Sequence, residues 1–272
     1  MNALSLGLTL ILCNLVVSSP LGPGKEPKLN TPEDNPVINY LVRFGYLDEA
    51  KSYSTDHVKE GLKKLQNFFS LPETGVADEA TLELINTPRC GVPDIVTDGK
   101  RYTIADKPFT HRNITYMFGR YSPKLNKAAV DENIKLAFDI WAVNSTLTFT
   151  KVNSNPDIMI DFVTRVHNDL KPFDGPGGVY AHAYYPSTYL SGDLHFDEEE
   201  DWKIMTAAGV DFFSVALHEL GHSLGLGHSN LKRAVMHSSY KFIDKKRGLE
   251  ADDKLGIYSL YVLGEKPPKS SK

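Results

Sequence analysis

The sequence is poor in cysteine, has no marked charge excess and contains one long apolar run. Only Cys13 and Cys90 occur among 272 residues, which excludes a disulfide-rich scaffold. Lys and Arg number 30 against 34 Asp and Glu, so the basic excess of a nucleic-acid-binding protein is absent. No internal repeat occurs, which disfavours a structural matrix protein. No run after residue 19 approaches the roughly 18 apolar residues of a membrane span.

The N-terminus has the pattern of a secretory signal peptide. A mostly apolar stretch runs from Leu4 to Val17, and two serines separate it from Pro20. The run is too short for a comfortable membrane span. An N-terminal core helix is the alternative, but the Pro/Gly-rich segment that follows at once disfavours it. We therefore expect residues 1–19 to be removed and the protein to be secreted into the extracellular space or matrix.

Removal of the signal peptide leaves Cys90 as the one cysteine of the mature chain. It has no internal disulfide partner, so it forms an intermolecular bridge, lies buried as a bystander, or works as a thiolate. Asn113 and Asn144 each begin an Asn-x-Thr acceptor sequence for glycosylation, which agrees with export.

Hydrophobic periodicity divides the rest of the chain into two units. Residues 37–87 predict a bundle of three helices, the third capped by Asp78. Two prolines and a glycine make 88–94 extended, and the polar segment 97–101 marks a boundary. Residues 102–264 are long enough for one enzyme-sized core, and 265–272 form a polar tail.

The second unit combines helical and strand periodicity. Strands are predicted at 114–119, 147–152 and 157–163, and helices at 124–144, 210–226 and 251–263; in the last, Leu255, Tyr258 and Val262 face one way. The stretch 165–201 is rich in Gly, Asp, His and Tyr. A loop of that length needs extra constraints, which metals would supply. The mixture predicts an α+β fold.

One segment of the predicted 210–226 helix carries the chemistry. His218 and His222 are four residues apart and share a helix face, so two imidazoles can grip one metal. A turn at Gly225 brings His228 round as a third ligand. Three nitrogens leave a fourth zinc position for water, as in catalytic sites. Glu219 follows the first ligand and is placed to take a proton from that water.

These residues, with Met236 eight positions after His228 as a methionine turn, resemble a metzincin. The chain resembles a matrix metalloproteinase over about 37–263, and is similar to the short matrilysins because no hemopexin-like domain follows. The resemblance implies a three-helix propeptide (20–101) before a catalytic domain (102–264) with a twisted, mostly parallel five-stranded sheet and three helices. It also implies a zinc endopeptidase that is latent when made.

The segment 88–94 matches the propeptide switch of that family. A thiolate is a strong zinc ligand, so Cys90 in the fourth position would exclude the catalytic water. Arg89 and Asp94 are expected to pair and hold the segment across the cleft. Activation then needs a protease to cut after Arg101, and by resemblance the new ammonium group at Tyr102 approaches the pair Asp252-Asp253.

The resemblance also implies further metals, for a total of two zinc ions and one to three calcium ions. A second, structural zinc would be held by His167, Asp169, His182 and His195. A first calcium would use Asp174, Asp197 and Glu200 with the carbonyls of Gly175, Gly177 and Val179. A second calcium would use Asp157 and Asp193 with carbonyls at Tyr189 and Ser191, where the family has glycines.

The expected partners are extended polypeptides, chiefly matrix proteins, an activating protease and tissue inhibitors of metalloproteinases, and we expect a monomer. Residues 178–184 predict an edge strand for substrate pairing. By resemblance Ser214 sets the depth of the S1′ pocket, and its small size predicts a deep pocket for Leu, Ile or larger P1′ groups. A non-catalytic secreted binding protein on a protease scaffold is the alternative; an astacin-like or reprolysin-like enzyme is disfavoured because those need disulfides or other residues after the third His.

Overall fold

The computed structural model describes residues 31–95, 108–186, 188–244, 246 and 248–263. The expected signal peptide, Arg101 and the polar tail therefore lie outside the described residues. The first unit contains three helices, α1 (Pro36–Arg43), α2 (Thr55–Phe68) and α3 (Glu79–Asn86). The predicted cap of α3 is confirmed, because the Asp78 carboxylate accepts a hydrogen bond from the backbone N–H of Thr81.

The three helices pack on the rest of the chain through a shared apolar core. Leu41 of α1 and Leu65 of α2 are fully buried in it. Val163, Phe173 and Val179 belong to the same cluster but come from the second unit. The first unit is thus docked by hydrophobic burial, which contributes about 25 cal/mol per Å² of apolar surface removed from water.

The second unit is built on a six-stranded sheet. Its strands are β1 (Arg89–Cys90), β2 (Asn113–Arg120), β3 (Thr148–Lys151), β4 (Ile158–Val163), β5 (Val179–Ala183) and β6 (Leu194–Asp197). The order is β1-β5-β6-β4-β2-β3, and every pair is parallel except β5 with β6. Five of these strands are the expected catalytic sheet, and β1 from the switch segment adds a sixth that was not anticipated. The short strands β7 (Trp202–Lys203) and β8 (Val210–Asp211) pair separately.

Three helices complete the unit, as expected: α4 (Lys127–Ala142), α5 (Phe212–Ser223) and α6 (Ala251–Tyr261). Helix α5 is buried along its whole length, and the Trp141 indole of α4 donates to the Leu217 carbonyl at 2.9 Å. Helix α5 is shorter than the helix predicted over 210–226. The Asp211 carboxylate caps its start. Gly225, with φ +105°, turns the chain beyond its end.

Helix α6 turns its apolar stripe outward. Leu255, Tyr258 and Val262 face one way, but they are 64%, 43% and 39% exposed. The buried face instead carries Asp253 and Ile257. No helix in the described ranges is long and apolar enough to span a bilayer.

Candidate metal centre and active site

Four side chains from two distant parts of the chain converge at the N-terminal unit's contact with α5. They are Cys90 of β1, His218 and His222 of α5, and His228 after it, and all are buried. The His218 Nε2 atom lies 3.2 Å from His222 Nε2 and 3.3 Å from His228 Nε2. Three imidazole nitrogens this close together are arranged as ligands of one ion.

Backbone carbonyls fix the orientation of two of these imidazoles. The Nδ1 atom of His218 lies 2.7 Å from the Val235 carbonyl, and that of His222 lies 2.6 Å from the Leu226 carbonyl. Since a carbonyl only accepts, each Nδ1 carries the proton and each Nε2 presents its lone pair to the cluster. Burial lowers the pKa of both rings well below the ordinary value, which keeps the neutral form that binds metals.

Glu219 lies beside this cluster with its carboxylate buried. Burial raises the pKa of Glu219 to about 8, an effect opposed by the neighbouring Cys90 thiol and the Lys171 ammonium. Neither carboxylate oxygen has a hydrogen-bond partner among the described residues. A buried carboxylate without a structural partner, next to a metal-ligand set, is a candidate general base.

The floor of the cluster is made by Met236 and braced by α6. Met236 is 1% exposed, and a Cβ atom added at Gly221 of α5 would overlap its sulfur. The Asp253 carboxylate accepts hydrogen bonds from the backbone N–H groups of Val235 and Met236 at 2.9 and 3.0 Å. The last helix therefore fixes the turn that supports the histidines, as the expected methionine turn requires.

The predicted pairing of Arg89 with Asp94 is confirmed. Two guanidinium nitrogens donate to the two carboxylate oxygens at 2.7 and 2.9 Å, and the two side chains are 3% and 0% exposed. The Tyr46 hydroxyl donates to the same carboxylate at 2.7 Å. The Nδ1 atom of His228 lies 2.8 Å from it, a contact that the sequence did not predict. Asp94 thus ties the switch segment both to itself and to a candidate metal ligand.

A pocket opens next to Glu219 and His218. Tyr180, Ser214, Val215 and Tyr240 are among its lining residues. The Ser214 hydroxyl donates to Asp211 at 2.7 Å and accepts from the Ile243 N–H at 2.8 Å. In the described chain the pocket is closed off partly by Arg89 and Cys90.

A second cluster joins β5, β6 and the loop before them. His167, Asp169, His182 and His195 bring their donor atoms within 4.8 Å of one another. One Asp169 oxygen is 2.7 Å from His182 Nε2, 2.7 Å from His195 Nδ1 and 3.0 Å from His167 Nε2. Three imidazoles and a carboxylate form a complete tetrahedral set with no position left for water.

The residues expected at the first calcium surround a glycine-rich turn. The Asp197 carboxylate accepts from the Gly175 N–H at 3.2 Å, and Glu200 accepts from the Gly177 N–H at 2.7 Å. Asp174 accepts from the Val179 N–H, and burial raises the pKa of Glu200 to about 7. The three carboxylates face one turn whose carbonyls are available as hard oxygen donors.

The residues expected at the second calcium are less closely grouped than those expected at the first. The Asp157 carboxylate accepts from Thr115 and lies 3.1 Å from His111 Nε2. Asp193 accepts from the Met159 N–H at 2.8 Å, while Tyr189 is 74% exposed and the Ser191 hydroxyl donates to the Pro186 carbonyl. Asp157, Asp193 and Ser191 thus each have a local partner.

Other expected sites lie at the surface, and two cleft residues were missed. Asn113 is exposed at the start of β2, and the Asn144 amide donates to the Ile140 carbonyl at 3.4 Å. Asp252 accepts from the Ser229 hydroxyl at 2.6 Å.

Lys171 and Tyr185 lie near the Cys90 cluster, in the loop regions at either side of β5. No motif in the sequence indicates them, because their positions depend on how those loops fold.

Comparison with known proteins agrees with this geometry. A family model described as Matrixin matches residues 108–262, and one described as a putative peptidoglycan binding domain matches residues 37–85. Matrilysin of Homo sapiens is 40% identical over 225 residues, which cover 82% of this chain and 83% of that protein.

Collagenases are similarly related. Neutrophil collagenase of Homo sapiens is 40% identical over 245 residues, 89% of this chain and 52% of that protein. Interstitial collagenase of Sus scrofa is 38% identical over 270 residues, 97% of this chain and 56% of that protein. The chain spans about half the length of several curated relatives that it matches.

Proposed function

Because the chain belongs to the Matrixin peptidase family, we propose that it is a secreted zinc-dependent endopeptidase that is made in a latent form. The observation that carries the proposal is the convergence of three buried imidazole Nε2 atoms beside the Glu219 carboxylate. The donor set fits zinc, since two of the imidazoles are held as Nδ1–H tautomers by backbone carbonyls.

When bound there, zinc would supply the Lewis acidity that activates water and polarises the scissile carbonyl. Glu219 takes the proton of the attacking water and returns it to the leaving amine. Its buried position beside the ligands suits this, since a general base must lie within hydrogen-bond reach of the proton that it takes. Met236 and Asp253 hold the ligand-bearing elements in place.

Latency follows from the position of Cys90. Its sulfur shares the ligand cluster with the three histidines, so a thiolate there would fill the place that water needs. Burial raises the pKa of the Cys90 thiol well above its usual value, and a coordinated metal offsets this because a coordinating thiol is deprotonated. Cleavage after Arg101 would release the N-terminal unit, and the new terminus at Tyr102 would approach Asp252.

The substrate is an extended polypeptide that takes the place of β1. Strand β5 becomes an edge when β1 leaves, and its free N–H and C=O groups can pair with a substrate strand. The P1′ side chain enters the pocket above Ser214, which suits Leu, Ile or larger residues. Since several relatives are named collagenases, we take matrix proteins as the substrate class and tissue inhibitors of metalloproteinases as ligands of the same cleft.

The other metals have a structural role in this proposal. His167, Asp169, His182 and His195 hold a second zinc, which orders the 165–178 loop against β5 and β6. The carboxylates of Asp174, Asp197 and Glu200 hold a calcium ion with the carbonyls of Gly175, Gly177 and Val179. A second calcium at Asp157 and Asp193 has less support, because each of those carboxylates is already hydrogen-bonded locally.

The test is hydrolysis of a fluorogenic Pro-x-Gly-Leu peptide by the secreted chain, before and after limited proteolysis near Arg101. We expect no activity before cleavage and chelator-sensitive activity after it. Glu219→Ala should keep its zinc and lose about 10²- to 10⁴-fold in rate, whereas Glu132→Ala, at an exposed site on α4, should not differ from wild type. A zinc-loaded, cleaved chain without activity would instead indicate a binding protein on a protease scaffold.

A further inference from the structure

Lys171 is a cation of the cleft that the proposed catalytic machinery does not use. Its backbone N–H donates to the Asp169 carboxylate at 2.9 Å, and the residue lies two positions after that ligand of the second cluster. Its ammonium lies 4.8 Å from the centre of the Tyr184 ring. Burial lowers the pKa of Lys171, an effect opposed by the charges of Cys90, Asp169 and Glu219. The lysine is therefore half-buried and faces the cleft.

The register of β1 on β5 gives the position of this lysine along the cleft. Cys90, which shares the catalytic cluster, pairs with Ala181, and Arg89 pairs with Val179. Tyr180 lines the P1′ pocket on the Arg89 side. Tyr184 lies four residues further along the same chain, roughly 13 Å from Tyr180 at the usual rise of a strand. Lys171 and the P1′ pocket thus lie on opposite sides of the catalytic cluster.

A substrate with its P1′ residue in the pocket must extend past the cluster on that opposite side. The residues that pass there precede the scissile bond. Tyr184 is three residues beyond Ala181, roughly 10 Å, so the side chain that reaches Tyr184 and Lys171 is that of P3.

The charges around Lys171 indicate which side chain a substrate should carry at P3. Among the described residues the Lys171 ammonium forms no ion pair, and it lies over the face of the Tyr184 ring. In the latent chain Arg43 of α1 is close enough to lower the pKa of Lys171 further through like-charge repulsion. Release of the N-terminal unit removes that cation and opens the site.

Resting on the proposed endopeptidase function, we propose that Lys171, with the ring of Tyr184 beneath it, is a specificity-determining residue that selects substrates with Asp or Glu at P3. A carboxylate there would pair with a cation that forms no ion pair among the described residues, and the tyrosine ring would restrict the lysine to a narrow range of positions. An exposed or half-buried pair of this kind is worth about 1 kcal/mol, or roughly fivefold. The substrate class is therefore an extended polypeptide with one acidic residue at P3 and an apolar residue at P1′.

The experiment compares two peptides that differ only in Glu or Gln at P3, cleaved by the zinc-loaded chain after proteolysis near Arg101. Wild type should prefer the Glu peptide by about fivefold in kcat/KM, and 0.5 M salt should reduce the preference. Lys171→Met should bring the ratio of kcat/KM for the Glu peptide to that for the Gln peptide down to about one. Lys171→Arg should keep the preference, and Lys171→Glu should reverse it, so that the Gln peptide is cleaved faster than the Glu peptide.

A control variant and three contrary results test the role of Lys171. Lys135→Met, on an exposed part of α4, should retain the preference. Equal cleavage of both peptides by wild type would overturn the inference and leave the endopeptidase function intact. An equal loss by Lys171→Met on both peptides would also overturn it, because the lysine would then act through Glu219. Failure to cleave either peptide would contradict the proposed function and the inference together.

Discussion

Substitution of Asp94 by Asn should break latency without any proteolysis. The carboxylate is fully buried, accepts two hydrogen bonds from Arg89 and one from Tyr46, and lies 2.8 Å from His228 Nδ1. Loss of its charge leaves the Arg89 guanidinium buried without a counter-ion. Removal of one partner from a buried ion pair typically costs about 3–5 kcal/mol.

Most of this free-energy cost should weaken the docking of the switch segment, residues 88–94. Arg89 and Asp94 both lie in that segment, and the contacts of Asp94 hold Cys90 in the cluster. At 1.4 kcal/mol per tenfold change, the open fraction of the uncleaved chain should rise by about 10²- to 10³-fold. The measurement is the rate at which a coloured thiol reagent modifies Cys90, alongside peptide hydrolysis by the uncleaved chain. The two readouts should rise together.

Matched variants separate this mechanism from general destabilisation. Asp139→Asn removes an exposed partner of Lys135 and should leave Cys90 protected. Replacement of both partners, as in Arg89→Met with Asp94→Leu, should recover part of the latency because no charge is then left buried alone. Protection of Cys90 in Asp94→Asn at the wild-type level would show that the pair does not hold the switch.

The same pair predicts how latency depends on pH. Arg89 and His228 hold the pKa of Asp94 well below its ordinary value. A carboxyl with a depressed pKa in the folded state stabilises that state above its unfolded pKa, and the effect is lost only as pH falls through the depressed value. Cys90 should therefore stay protected at pH 5, and a release at that pH would contradict the assignment.

Three further predictions concern the support of the site. Gly221→Ala should lower the free energy of unfolding by about 1–3 kcal/mol, measured by urea denaturation, because its methyl group would overlap the Met236 sulfur. Ser214→Leu should lower kcat/KM about tenfold or more for a large P1′ residue but little for Ala; equal losses would show that the residue does not line S1′. Without calcium, the melting temperature should fall from pH 5 to pH 8, because a pKa raised to about 7 makes Glu200 stabilising only while protonated; calcium or Glu200→Gln should remove most of that fall, and a pH-independent wild type would contradict it.

The sequence predicted best where spacing within one element decides the geometry. His218 and His222 are brought together by helical periodicity alone, and Asp78 caps α3 by a local hydrogen bond. The α+β class followed similarly from the two periodicities. These features depend on a few neighbouring residues, so no knowledge of tertiary packing was needed.

Features that depend on long-range contacts were predicted only in part. The extended segment at Cys90 was expected to cross the cleft, but its pairing with β5 as a sixth strand depends on a register that no local pattern encodes. The contact of Asp94 with His228 arises from that same docking. In α6, the apolar spacing of Leu255 and Tyr258 did not indicate the buried face, because the helix is oriented by the hydrogen bonds of Asp253 to the turn before Met236.

The bracing of Met236 by α6 also sets an order of events during synthesis. Cys90 leaves the ribosome long before Asp253, and the turn under the histidines has no support until Asp253 has been translated. A nascent chain that had just emerged as far as His228 would carry the ligands without their floor. In this order of translation, the support of the candidate metal ligands is completed only after Cys90 has been made.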